Sequence, residues 1–179
     1  GVTSRGVTLI DGRSGSGKTT LADRLAAGSG AAILHLDELY PGWDGLAEGS
    51  RSVARALRAG EYLRYDWEAG AFAERVALDP ARPLVIEGCG ALTLANLAAA
   101  RAWARGSGAV RTIWMECPDE LRRDRALARD GEMFRPHWER WAAQEEAHFA
   151  AERPVALAAE IVHADPSPAG ADPVHQSAG

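Results

Sequence analysis

Residues 12–19 read GRSGSGKT, directly after the short apolar run GVTLID and directly before a run with helical spacing. No other feature constrains the fold as strongly. Gly12, Gly15 and Gly17 let the backbone curl tightly enough for successive N–H groups to face one point. The apolar run at 6–11 reads as a buried strand of a parallel sheet, feeding this turn. Residues 19–27 follow as a helix with Leu21, Ala22, Leu25 and Ala26 on one face, and its N-terminus favours an anion. The run matches G-x-x-x-x-G-K-[ST] in full: Lys18 supplies a point charge for the β- and γ-phosphates of ATP, and the Thr19 hydroxyl is placed for Mg²⁺. Gly12, Arg13, Ser14, Gly15, Ser16, Gly17, Lys18 and Thr19, with Thr20 as a second hydroxyl, are the candidate nucleotide residues. Composition sharpens the point. The basic residues are nineteen arginines and a single lysine, and that lysine is Lys18.

Further apolar strands are expected at 32–36, 83–87, 111–116 and 160–163. Helices are expected at 46–59, 69–78, 93–105, 119–130 and 136–152. Strands alternating with helices imply an α/β fold, here a five-stranded parallel sheet with helices on both faces. With 179 residues and 46% hydrophobic content, the chain supports one core. Residues 1–164 are expected to form one domain. Residues 165–179, rich in Pro, Ala, Gly and Ser without periodicity, are expected to be a disordered tail. A net charge of -5 argues against a broad nucleic-acid surface. No run approaches the roughly 20 apolar residues of a membrane span. Residues 1–13 lack the long apolar stretch and cleavage site of a signal peptide, so a cytoplasmic location is expected. Cys89 and Cys117 match no metal or redox spacing and read as small buried residues.

Ligands of open parallel sheets sit beyond the carboxyl ends of the strands. Three acids stand there. Glu87 ends LVIE and is expected to hold Mg²⁺ beside Thr19. Asp37 and Glu38 follow the second strand, and either suits the general base that a hydroxyl acceptor requires, with Asp37 preferred. Arg122, Arg125 and Arg129 share one face of the 119–130 helix and suit a lid that clamps a transferring phosphoryl group.

Four segments, in order, resemble the uridine kinase and phosphoribulokinase branch of P-loop kinases. These are GRSGSGKTT, LDELY, RAGEYLRYDW and LVIEG; RALARD is similar to the lid's R-x-x-x-R-D. The resemblance covers roughly residues 6–130. It implies a P-loop NTPase fold of the nucleoside and nucleotide kinase type with a short lid. It also implies an ATP- and Mg²⁺-dependent kinase of a small hydroxyl-bearing acceptor such as a nucleoside. Asp37 would be the base, Glu87 the magnesium ligand, Lys18, Arg125 and Arg129 catalytic, and Tyr65, Asp66 and Trp67 acceptor contacts. Tyr40, Trp43, Tyr65 and Trp67 suit a flat apolar pocket for a base or similar ring, with Arg122 beside the acceptor; Trp43 and Trp67 equally suit the core. The segment YPGWDGL departs from the family's nucleoside-binding sequence, and nothing after about Arg135 matches it. Two further functions fit the same motifs. A nucleotide kinase would use the arginines on a phosphate acceptor and leave Asp37 no proton to take; a regulatory nucleotide-binding protein would not turn over quickly.

Overall fold

The computed structural model describes residues 5–105 and 109–164. Strand β1 (Val7–Gly12) lies at the centre of a five-stranded parallel sheet. Beside it on one side run β5 (Leu84–Glu87) and then β2 (Ala32–His35); on the other run β6 (Val110–Glu116) and β7 (Glu160–His163). Ile10 pairs with Glu87 in one register and with Ile113 in the other. Chain order therefore reverses direction at β1, and the crevice at its carboxyl end opens where the phosphate loop begins.

Alternation along β1 sends its side chains into two cores. Ile10 packs with Val85, Ile113 and Met115 beneath helix α1 (Lys18–Ser29), which contributes Leu21, Ala22, Leu25 and Ala26. Leu9 points the other way, into a larger core with Val53 and Leu57 of α2 (Leu46–Ala59) and Leu97, Ala100 and Trp103 of α3 (Leu94–Ala104). Each such aliphatic side chain contributes about 1.5–3 kcal/mol on burial. Helices α4 (Asp119–Asp130) and α5 (Trp138–Glu152) join this second layer through Ala126, Trp138 and Trp141. A short α6 (Pro154–Leu157) leads into β7. No helix of the described residues is long and apolar enough to cross a membrane. The expected tail at 165–179 lies outside those residues.

One expected helix is a strand. Residues 69–78 contain β4 (Ala71–Ala77), paired antiparallel with β3 (Glu61–Asp66) in a hairpin apart from the main sheet. Ala, Glu and Arg in AFAERVA favour a helix by propensity, but the turn overrules them. The Asp66 Oδ1 accepts the amides of Glu68 and Ala69, and Gly70, at φ 68°, returns its N–H to the Asp66 carbonyl. With direction reversed at 66–70, Phe72 falls opposite Tyr65, and the pairing follows.

Candidate active site

The phosphate loop is shaped by its glycines and by what presses on them. Gly15 sits at φ 76° and Gly17 at φ 99°, both in the left-handed region. A Cβ on Gly15 would collide with the carbonyl oxygen of Arg122, because the first turns of α4 close directly over the loop. At Gly17 a Cβ would come 3.3 Å from the Met115 Cε and 3.8 Å from an Arg125 guanidinium nitrogen. Arg125 thus stands beside the start of α1, where the loop presents its charge-binding end. Arg129 follows one turn later on the exposed side of α4.

Lys18 is only 8% exposed, and its Nζ donates to the Arg13 carbonyl at 2.7 Å. It closes the loop on itself at the point where phosphate oxygens would compete for the ammonium. Thr19 Oγ1 donates to Glu87 Oε2 at 2.8 Å. The other carboxylate oxygen lies 3.4 Å from His35 Nδ1, at the end of β2. Burial pushes the Glu87 carboxyl up, but the His35 hydrogen bond, Lys18 and Thr19 outweigh it, so the pKa falls below the ordinary carboxylate value. His35 is raised in turn, mainly by its bond to Glu87 and against the effect of burial. A hydroxyl and an ionised, buried carboxylate side by side form a hard oxygen donor pair. Such a pair suits a magnesium ion that brings its remaining ligands as water and phosphate.

The two acids after β2 have different surroundings. Asp37 is exposed, and its backbone carbonyl accepts the Trp67 indole N–H at 2.9 Å. Glu38 is engaged by the hairpin: the Tyr62 hydroxyl donates to it, and Arg64 Nε lies 3.4 Å away. The hairpin therefore fastens to the second strand's end at both residues, through the Asp37 backbone carbonyl and the Glu38 carboxylate.

The expected acceptor residues divide. Tyr65 and Trp67 meet edge to face with centroids 5.2 Å apart, and Trp43 packs on Trp67 at 5.1 Å. Asp66 lies beside them, with one oxygen used by its own turn. Tyr40 does not belong to this group. It is 2% exposed, its hydroxyl donates to the Cys89 carbonyl at 2.6 Å, and its ring packs on Trp141, so it is a core residue. Arg122 is also turned inward, at 7% exposure. Its Nε bonds Asp119, its guanidinium lies over the Trp138 ring, and its Nη1 is buried with no hydrogen-bond partner among the described residues. That unpaired donor, on the helix that covers Gly15, fits a phosphoryl oxygen better than an acceptor ring.

Some loop residues serve the scaffold. Ser14 gives its amide to Glu145 Oε2 at 2.7 Å, and Arg13 pairs with Glu146 at 2.6 Å. Ser16 is 1% exposed, and Thr20 lies partly buried in the first turn of α1. His35 is the residue nearest the chemistry that the motifs missed. A titratable side chain ending a strand that runs beside LVIE was its one visible signal.

A central strand, a glycine loop and a helix N-terminus carrying Lys18 and Thr19 define a P-loop nucleotide-binding domain. The family model of the AAA domain matches residues 7–151, and the chain belongs to that family. No curated protein matches the chain. Among solved structures, the chain is similar to the shikimate kinase from Acinetobacter baumannii in complex with shikimate. That likeness has 18% identity, a TM-score of 0.49 and coverage of 98% of this chain and 92% of that one. A sugar kinase from a Janibacter species gives 21% identity and a TM-score of 0.41 over 68% of this chain, which spans 65% of that kinase's length. A gluconokinase from Sinorhizobium meliloti gives 17% identity and a TM-score of 0.42 over 73% of this chain and 67% of that one.

Proposed function

We propose that this protein is an ATP- and Mg²⁺-dependent kinase of a small hydroxyl-bearing molecule, of the uridine kinase-like kind, acting in the cytoplasm with a nucleoside as the leading acceptor. One observation carries the reading. The bonded chain Thr19–Glu87–His35 runs from the phosphate loop to the end of β2, two residues before Asp37. A base presented there stands on the same sheet edge as the phosphates. Glu38, held by Tyr62 and Arg64, is left as the residue that positions the hairpin.

Catalysis on this scaffold is positioning and charge neutralisation. Magnesium, when bound, would neutralise the β- and γ-phosphates, with Thr19 and Glu87 to hold it. Lys18 leaves the Arg13 carbonyl for phosphate oxygens, Arg125 reaches the transferring group, and Asp37 takes the proton of the attacking hydroxyl. Trp43, Tyr65 and Trp67 offer aromatic surface for a base or similar ring.

The test is transfer of label from γ-labelled ATP to a panel of nucleosides, sugars, sugar alcohols and nucleoside monophosphates, with hydrolysis in their absence subtracted. A ribonucleoside should stand well above its deoxy analogues, because a site that bonds a hydroxyl rejects a ligand lacking it. Transfer only to a non-aromatic alcohol would remove the nucleoside from the proposal and make Trp67 a packing residue. Transfer only to monophosphates would overturn the hydroxyl acceptor itself.

A further inference from the structure

Helix α5 places polar side chains where its apolar face should continue. Trp138, Trp141, Glu145 and His148 follow one another at i, i+3, i+7 and i+10, and all four are buried. Glu145 is 1% exposed and His148 7%. A carboxylate so deeply enclosed needs partners, and its partners lie in and beside the phosphate loop. Glu145 Oε2 accepts the Ser14 amide at 2.7 Å and lies 3.0 Å from the Cys89 thiol, which is also 2.9 Å from the Gly12 carbonyl. Burial pushes the Cys89 thiol well above its ordinary value, so it remains a protonated donor between these two oxygens.

The neighbouring residues of α5 act on the same segment. His148 Nε2 lies 3.0 Å from Asp11 Oδ2. Asp11, fully buried at the end of β1, also accepts the amides of Gly12, Gly90 and Leu92. Glu146 pairs with Arg13, whose carbonyl receives the Lys18 ammonium. One helix therefore grips positions 11, 13 and 14, immediately before the amides that a phosphate would use.

We propose that Glu145 is a positioning residue of the nucleotide site: by holding the Ser14 amide backward, away from the ligand, it sets the loop shape in which the following amides face the phosphates. The inference rests on the nucleotide-binding reading above. Its physical basis is preorganisation. A loop that must find its shape on binding loses affinity in proportion to how seldom it adopts that shape when free. On this proposal Glu145 acts through the Ser14 backbone amide that it holds.

The test compares full-length wild type, Glu145→Ala, Glu145→Gln and Glu145→Asp by calorimetric titration with Mg·ATP. It is run at a temperature where circular dichroism shows each one folded. Glu145→Gln keeps an oxygen for the Ser14 amide and should bind within about threefold of wild type. Glu145→Ala removes it and should weaken binding about tenfold or more. Glu145→Asp retracts the carboxylate by one methylene and should fall between them; it carries the comparison should the alanine variant fail to fold. A purely structural role would lower the melting temperature and leave the Kd of the folded protein unchanged. Wild-type affinity in Glu145→Ala, or in Glu145→Asp where alanine does not fold, would overturn the proposal while the nucleotide reading stands. A wild type that binds no Mg·ATP would overturn both.

Discussion

Thr19→Val separates the two roles the structure gives one hydroxyl. The substitution keeps the shape and β-branching of the side chain, so helix α1 and its packing should be little disturbed. What it removes is the 2.8 Å bond from Oγ1 to Glu87, a carboxylate only 3% exposed and held ionised by its neighbours. A hydrogen bond to a charged group is worth about 1.5–3 kcal/mol, and the loss is not recovered by water at a buried oxygen. His35 still holds Oε1, so the carboxylate keeps part of its support and the lower end of that range applies. For a chain of this size each kcal/mol moves Tm by about 2–4 °C, which gives a fall of about 3–6 °C without nucleotide. Scanning calorimetry measures it directly. The second role shows in a titration of ATP with and without Mg²⁺. In the wild type, magnesium should tighten binding, and in Thr19→Val that gain should vanish while metal-free binding persists. Thr19→Ser, which keeps the hydroxyl, should restore both. A valine variant that retains the full magnesium gain would refute the assignment of Thr19 and Glu87 as the metal's protein ligands.

Lys18→Ala should abolish most of the rise in Tm that Mg·ATP gives the wild type, because a ligand bound only to the folded state stabilises it by mass action. An undiminished rise would refute the loop assignment. Asp37→Asn should keep Mg·ATP binding and lower turnover by about 10²–10⁴, whereas Glu38→Gln should act mainly on stability through Tyr62. Equal, small losses of turnover in both would refute Asp37 as base. His35 and Glu87 predict a pH window. His35 is raised, so its contribution to stability is complete below about pH 6.5 and lost as pH rises through its folded value; Glu87 is lowered, so its contribution is complete above about pH 4.5 and lost on acidification. The Tm difference between wild type and His35→Asn should therefore be largest between those limits and shrink toward alkaline pH. A difference that grows above neutrality would refute the pairing.

The parts of this molecule legible in its sequence are those where one local rule decides the outcome. The Gly12–Thr19 loop is such a case, because its glycines, lysine and threonine leave little else for the backbone to do, and the runs flanking it had to be a buried strand and a helix. The hairpin is not legible in the same way, because helix propensity in AFAERVA is a weak preference and a turn built by Asp66 and Gly70 reverses the chain before it can act. Asp37 and Glu38 are adjacent acids, and the LDELY resemblance favours Asp37 as the base; that Tyr62 and Arg64 engage the Glu38 carboxylate is not legible in the sequence, because they arrive on a strand its local pattern does not announce. Tyr40 shows the opposite case, since an aromatic ring beside a candidate base says nothing of the Cys89 carbonyl that its hydroxyl meets in the core. The hardest residues were Glu145 and His148. On a helical wheel they continue the face of Trp138 and Trp141, and a charged residue on an apolar face is ordinarily a reason to doubt the face. Here the face is real, and the carboxylate is tolerated because the phosphate loop presents a buried amide to it. That pairing spans 131 positions of the chain. It becomes readable only after the sheet has brought β1 and α5 together, so the loop's shape depends on a residue that its own motif does not contain.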